Sequence, residues 1–308
     1  MIKREDLRIR DPFIVPDKEA GCYYMFGTID VCESSYHTRP RFSVCKTFDL
    51  ENFEEPKVIF DGEKAGYWAE NDYWAPEVHK YKGRYYLFVS ILGKNRLRGT
   101  QIAVSDAPCG RFLPPVNRPV TPIEQSCIDG TLFVQDGVPY IFYSHDWPDC
   151  YSAEKDAYVG EICAAELTPD LTEIVGKPWV VFTSDESPIS RATPHRMEYE
   201  GKPIKRHGSD APFVQKLSDG RLLLTWSPYL NGNYVVLKVY SESGSVRGPW
   251  THAEKPLFDG NGGHAMFFRS AEAKLLMCIH APEEHMLERA HIFEVEEQNG
   301  DFVILREL

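Results

Sequence analysis

The chain has 308 residues, a formal net charge of −12, 13% aromatic residues, 22 glycines and 22 prolines. That length suits one large all-β domain or two smaller ones. The acidity excludes nucleic acid, whose phosphates need a basic face, and disfavours polyanionic partners generally. Eight cysteines fall in no CxxC or zinc-finger spacing and read as reduced core thiols. The N-terminal Met1-Ile2-Lys3-Arg4 carries no apolar leader and no run is long enough to span a bilayer, so the expectation is a cytoplasmic protein without a membrane partner.

In chain order, one pattern recurs five times: a strand opening on small, apolar or acidic residues, a short turn, then an aromatic-rich strand. Arg10-Asp11-Pro12-Phe13-Ile14 leads into Tyr23-Tyr24-Met25-Phe26-Gly27, and Trp74-Ala75-Pro76-Glu77-Val78 into Tyr85-Tyr86-Leu87-Phe88-Val89. Asp129-Gly130-Thr131-Leu132-Phe133 leads into Tyr140-Ile141-Phe142-Tyr143-Ser144, and Asp210-Ala211-Pro212-Phe213-Val214 into Leu222-Leu223-Leu224-Thr225-Trp226. The fifth unit is His264-Ala265-Met266-Phe267-Phe268 with Leu275-Leu276-Met277-Cys278-Ile279-His280. Lys82-Gly83, Asp136-Gly137 and Asp219-Gly220 supply hairpin turns. Self-similarity at this period predicts an all-β fold, a five-bladed β-propeller of antiparallel four-stranded blades, forming a single catalytic domain over residues 1–308. The run Ile189 to His207 is polar and predicts an inserted loop, and His280 and His285 read as loop residues. Ala290–Val295 and Phe302–Leu305 predict closing strands beside the N-terminal segment.

In such a fold the blade openings converge, so Asp11, Asp129, Asp210, His264, Trp74 and Arg10 become candidates together. For any one Asp a turn role is the commoner one; recurrence at matching places in the repeats is what singles these out. Clustered carboxylates split their pKa values, letting one stay protonated while another acts as base. Cleavage of a glycosidic bond needs that division. No Gly-x-Ser-x-Gly elbow, His-Glu-x-x-His or phosphate-binding glycine loop competes with this reading.

The five motifs, in this order and from about residue 10 to 285, resemble glycoside hydrolase family 43. The resemblance implies a five-bladed propeller and an inverting glycosidase acting on neutral oligosaccharides that end in arabinofuranose, xylose or a related sugar. It implies Asp11 as general base, Asp129 as the carboxylate that tunes and orients the acid, and His264 as ligand to a structural ion, commonly calcium; no cofactor is required for the chemistry. The family's acid is a Glu, whereas the fourth opening here offers Asp210; Glu186, in Asp185-Glu186-Ser187-Pro188, is the rival. Trp74, Glu77, Asp146 and Arg10 are the candidates for substrate contact. Inversion would set base and acid carboxyls about 6.5–9.5 Å apart. Two alternatives remain at this point: a sugar-binding propeller without catalysis, and a phosphorolytic enzyme using the basic run Arg191, Arg196, Lys202, Lys205 and Arg206.

Overall fold

The computed structural model describes residues 1–33, 35, 37–63, 67–95 and 97–308, with Glu70 described by its backbone alone. Among these residues the fold is all-β, its helix confined to the five-residue segment Pro188–Ala192 and short 3₁₀ turns. No helix among them is long and apolar enough to cross a membrane. The chain falls into two compact units, one of residues 1–123, 266–296 and 304–308, the other of 124–265 and 297–303.

Each sequence repeat opens its own antiparallel sheet. In the first unit, Arg10–Asp17 pairs with Cys22–Thr28 and that with Arg41–Thr47. Ala69–Tyr81, Arg84–Gly93 and Arg98–Ser105 form a three-stranded sheet. In the second unit, Cys127–Gln135, Val138–His145, Glu161–Leu167 and Ile174–Thr183 lie side by side in that order. Asp210–Lys216, Leu222–Ser227, Leu237–Ser241 and Trp250–His252 repeat the arrangement. The last sheet takes Gly263–Arg269, Leu275–Ala281, Arg289–Gln298 and Asp301–Glu307.

The second strand of each unit reads as unbroken apolar sequence because it is covered on both faces. Every residue of Cys22–Thr28 and of Leu222–Ser227 is buried. Around Trp226, Phe142, Leu224, Val239 and Phe182 form one dry cluster in the second unit, whose burial is the main stabilising term. Lys82-Gly83 and Asp136-Gly137 are two-residue turns with both residues at positive φ, which matches the twist of the strands they join. Asp219-Gly220 sits instead in a longer connection, where only the glycine has positive φ.

Two expectations are corrected. The segment predicted as an inserted polar loop folds as a hairpin, His195–Tyr199 with Lys202–His207, turned by Glu200 and Gly201 at φ of +50° and +74°. It joins Ala157–Val159 and Tyr151–Ser152 in a small sheet of its own. His280 is not a loop residue: it lies in the strand Leu275–Ala281 and is fully buried. The closing strands predicted near the C-terminus do form. They meet the N-terminal segment through Ile9 N–H to Glu288 O at 3.1 Å and Arg289 Nε to Glu5 O at 2.8 Å.

Candidate active site

One backbone device recurs at the opening of every repeat. Asp11, Ala75, Asp129, Ala211 and His264 all have φ between +48° and +57°, the left-handed region that a side chain seldom adopts. In the first four openings the ladder slips just there, between Arg10 and Phe13, Trp74 and Glu77, Ile128 and Thr131, and Asp210 and Phe213. A bulge of this kind re-aims the side chain it carries. Such a conformation persists only where its surroundings fix it, and the backbone N–H groups of Asp11, Ala75, Ala211 and His264 are each bonded.

In the first unit, Asp11 N–H is 3.2 Å from His280 Nδ1, and Ala75 N–H donates to Thr28 Oγ1 at 2.9 Å. The Thr28 hydroxyl passes its own proton to Asp11 Oδ2 at 3.1 Å. Asp11 is buried, and Arg10 Nε stands 3.6 Å from its Oδ1. Because His280 Nδ1 accepts, its proton sits on Nε2, which reaches Glu283 Oε2 at 2.6 Å. Glu283 also takes Arg10 Nη1 at 2.6 and 2.7 Å, and Glu288 takes Arg8 at 3.1 and 3.2 Å. The result is an aspartate whose carboxylate is held by a hydroxyl and a guanidinium and whose backbone N–H is held by an imidazole.

In the second unit, Asp129 is likewise buried, and its Oδ2 accepts from Ala211 N–H at 3.0 Å. That bond ties the third opening to the residue after Asp210. His264 N–H donates to Ser227 Oγ at 3.0 Å. Gly263 before it has no room for a side chain, since a Cβ would stand 2.6 Å from the Tyr234 ring and 2.8 Å from Ser227 Oγ.

The bulges also shift one alignment made from sequence. The left-handed residue of the fourth opening is Ala211, so Asp210 holds the place of Arg10, Trp74 and Ile128, one residue ahead of the place held by Asp11 and Asp129. Asp210 is half-buried, opposite Ser227 in the ladder. Glu186 is exposed, and its Oε1 is occupied by Thr183 N–H at 3.0 Å in a capping box ahead of Pro188–Ala192.

Trp74 is half-buried and carries the Arg98 guanidinium over its ring at 4.2 Å, with Arg98 paired to buried Asp72 at 2.8 Å. Glu77 is buried and meets His79 Nε2 at 2.9 Å. Asp146 is buried, its N–H bonded to Ser126 O at 2.8 Å. Next to it, His145 lies 2.9 Å from Glu161 Oε2 and 3.2 Å from Asp149 Oδ1. Burial opposes charge on this imidazole, but bonds to Asp149, Cys150 and Glu161 overrule it and push its pKa up to about 12. His145, Cys150 and Glu161 are the three-donor cluster found among the described residues, and His264 is not part of it.

Sequence reasoning missed His280, Glu283 and Thr28. A signal for two of them was present: Thr28, Ser144 and Ser227 stand opposite the residue before each bulge, and His280 closes the corresponding strand of the fifth unit.

The family model described as glycosyl hydrolases family 43 matches residues 6–297. A xylosidase/arabinosidase of Bacteroides ovatus is 25% identical over 175 residues, 51% of this chain and 52% of its own length. Xylosidase/arabinosidase 43A of Humicola insolens is 31% identical over 99 residues, 30% of this chain and 29% of its own. The matched segments thus span 29% and 52% of those two curated relatives. A solved endo-arabinase from Bacteroides thetaiotaomicron is 33% identical, with a TM-score of 0.86 over 98% of this chain and 99% of that one.

Proposed function

Because the chain belongs to glycosyl hydrolase family 43, we propose that it hydrolyses glycosidic bonds of arabinose- or xylose-containing oligosaccharides with inversion. Asp11 is the general base in this reading: it takes a proton from the water that attacks the anomeric carbon. Asp210 protonates the leaving oxygen, and Asp129 orients it through the backbone of Ala211. The observation that carries the reading is the pair of buried aspartates, Asp11 and Asp129, each presented from a left-handed bulge at a repeat opening. Glu186 is set aside as acid because its carboxylate is exposed and committed to Thr183. Five sheets with matching openings support a count of five blades.

Hydrolysis of nitrophenyl arabinofuranosides and xylosides, with and without phosphate, tests this. Asp11→Asn and Asp210→Asn are each expected to lower turnover by about 10²–10⁴-fold, the range for losing a general base or acid. Glu186→Gln is expected to retain it. Loss of activity in Glu186→Gln with retention in Asp210→Asn would move the acid to Glu186. Turnover that requires phosphate would make the enzyme phosphorolytic, and sugar binding without release would make it a binding protein. Chain-length analysis of the products from a linear arabinan separates endo from exo action.

His264 brings a single imidazole nitrogen, whereas calcium takes about six to eight oxygen ligands. An ion held at His264 would therefore draw most of its ligands from oxygen atoms and not from this imidazole. Stripping divalent ions with a chelator is expected to lower the melting temperature of the wild type, with recovery on calcium addition. The same treatment should not move His264→Ala.

A further inference from the structure

Outside the residues discussed so far, the inserted hairpin of the second unit holds a cation without an anion. The Arg206 guanidinium carbon lies over the Trp147 ring at 4.8 Å and over the Tyr229 ring at 4.7 Å. Trp147 is itself boxed edge-on by Tyr199 at 5.0 Å and Tyr158 at 5.7 Å. These rings grip the flat face of the guanidinium. They satisfy none of its N–H groups, which radiate in the plane of the fork. Nε is buried with no hydrogen-bond partner, and no carboxylate pairs with Arg206 among the described residues.

The hairpin around it is basic in a protein of net charge −12. His195 stands directly opposite Arg206, Arg196 opposite Lys205, and Lys202 shares the Arg206 face. Like charges facing each other across a ladder are destabilising. Burial, then the nearby Arg206, lowers the pKa of His195, which favours the neutral imidazole beside the guanidinium. Lys205 on the hairpin pairs with Asp156 at 3.8 Å, a contact that leaves Arg206 untouched. A half-buried guanidinium kept in place by stacking, with a planar fork unfilled, matches a carboxylate geometrically.

Its place on the chain ties it to the acid. Arg206 precedes Asp210 by four residues, and Tyr229 follows Ser227, the ladder partner of Asp210, by two. Trp147 follows the strand Val138–His145, whose Ser144 pairs with Ile128 beside Asp129. We propose that Arg206, braced on Trp147 and Tyr229, binds the carboxylate of a uronic-acid unit on the leaving-group side of the oligosaccharide. The assignment of the side rests on Asp210 as the acid.

The test uses the full chain carrying Asp11→Asn, so that binding is read without turnover. Matched pentose oligosaccharides, one bare and one with a single uronosyl branch, are titrated by calorimetry. The branched ligand is expected to bind about 10–100-fold more tightly, the worth of a charge-assisted hydrogen bond. Arg206→Gln should collapse that ratio to about one, and Arg206→Lys should keep part of it. If Arg206→Gln fails to fold, the ratio for the Arg206→Lys protein decides, because loss of the fork must shrink it. Equal affinity for the two ligands, or a ratio untouched by either substitution, overturns the proposal. Turnover persisting in Asp11→Asn would overturn the catalytic reading instead and leave the affinity ratio to stand.

Discussion

His280 shows how a single buried side chain can govern a neighbour, here the aspartate proposed as general base. It has no access to solvent, yet its Nδ1 meets the Asp11 N–H and its Nε2 meets Glu283. Nothing in the run Cys278-Ile279-His280-Ala281 marked it, and paired with His285 it read as a loop residue, although it lies inside the strand Leu275–Ala281. Aspartates were easier: Asp11 and Asp129 each interrupt apolar sequence at a repeat opening. The clamp on His145 was also invisible, as Asp149 and Glu161 are brought to it by a turn and a neighbouring strand. That clamp carries a sign. A group whose pKa rises on folding stabilises fully below its unfolded value and loses that contribution as pH climbs towards the folded one. His145→Gln should therefore cost roughly 3 kcal/mol near pH 6, the scale for stripping a buried charge of its partner. The deficit should narrow steadily between pH 6.5 and about 12, and urea unfolding of both proteins across that range measures it.

Elements differ in how openly they announce themselves. The doubly covered second strands were legible as apolar runs, and the Lys82-Gly83 and Asp136-Gly137 turns as hairpin dipeptides. The hairpin at His195–His207 was not. Its first strand does alternate, with His195, Met197 and Tyr199 on one face and Arg196 and Glu198 on the other. Charged residues and Pro203 masked that period, since proline normally demotes a strand to an edge. Its turn offers a direct check. Glu200 holds a φ of +50°, a region where asparagine is far commoner than glutamate. Glu200→Asn is expected to raise stability by about 0.5 kcal/mol, seen as a higher urea midpoint with an unchanged slope.

At the scale of the whole molecule, repetition made the fold legible and concealed the bulges. Five openings could be aligned by residue type, and that alignment placed Asp210 level with Asp129. The backbone places it one residue earlier, because the kink belongs to Ala211. A one-residue offset in a strand sends the side chain to the other face, and no composition rule reports it. Net charge is an average of the same kind. A total of −12 argues for neutral ligands, while Arg206 and its hairpin form a local exception that an average cannot display.

The recurrent left-handed residue has a wider consequence. Where its N–H is bonded, the partner comes from another sheet: Thr28 for Ala75, Asp129 for Ala211, Ser227 for His264, His280 for Asp11. The bond to each N–H comes from elsewhere and not from the residue's own side chain, although Asp129 in turn holds the kink at Ala211. Each opening behaves as a socket, built once and filled as the chemistry requires, with Asp in two, His in one and alanine in the remaining two. Ala75 and Ala211 are thus blank sockets, points at which new acids, bases or ligands can enter this scaffold without redesign of the strands that carry them.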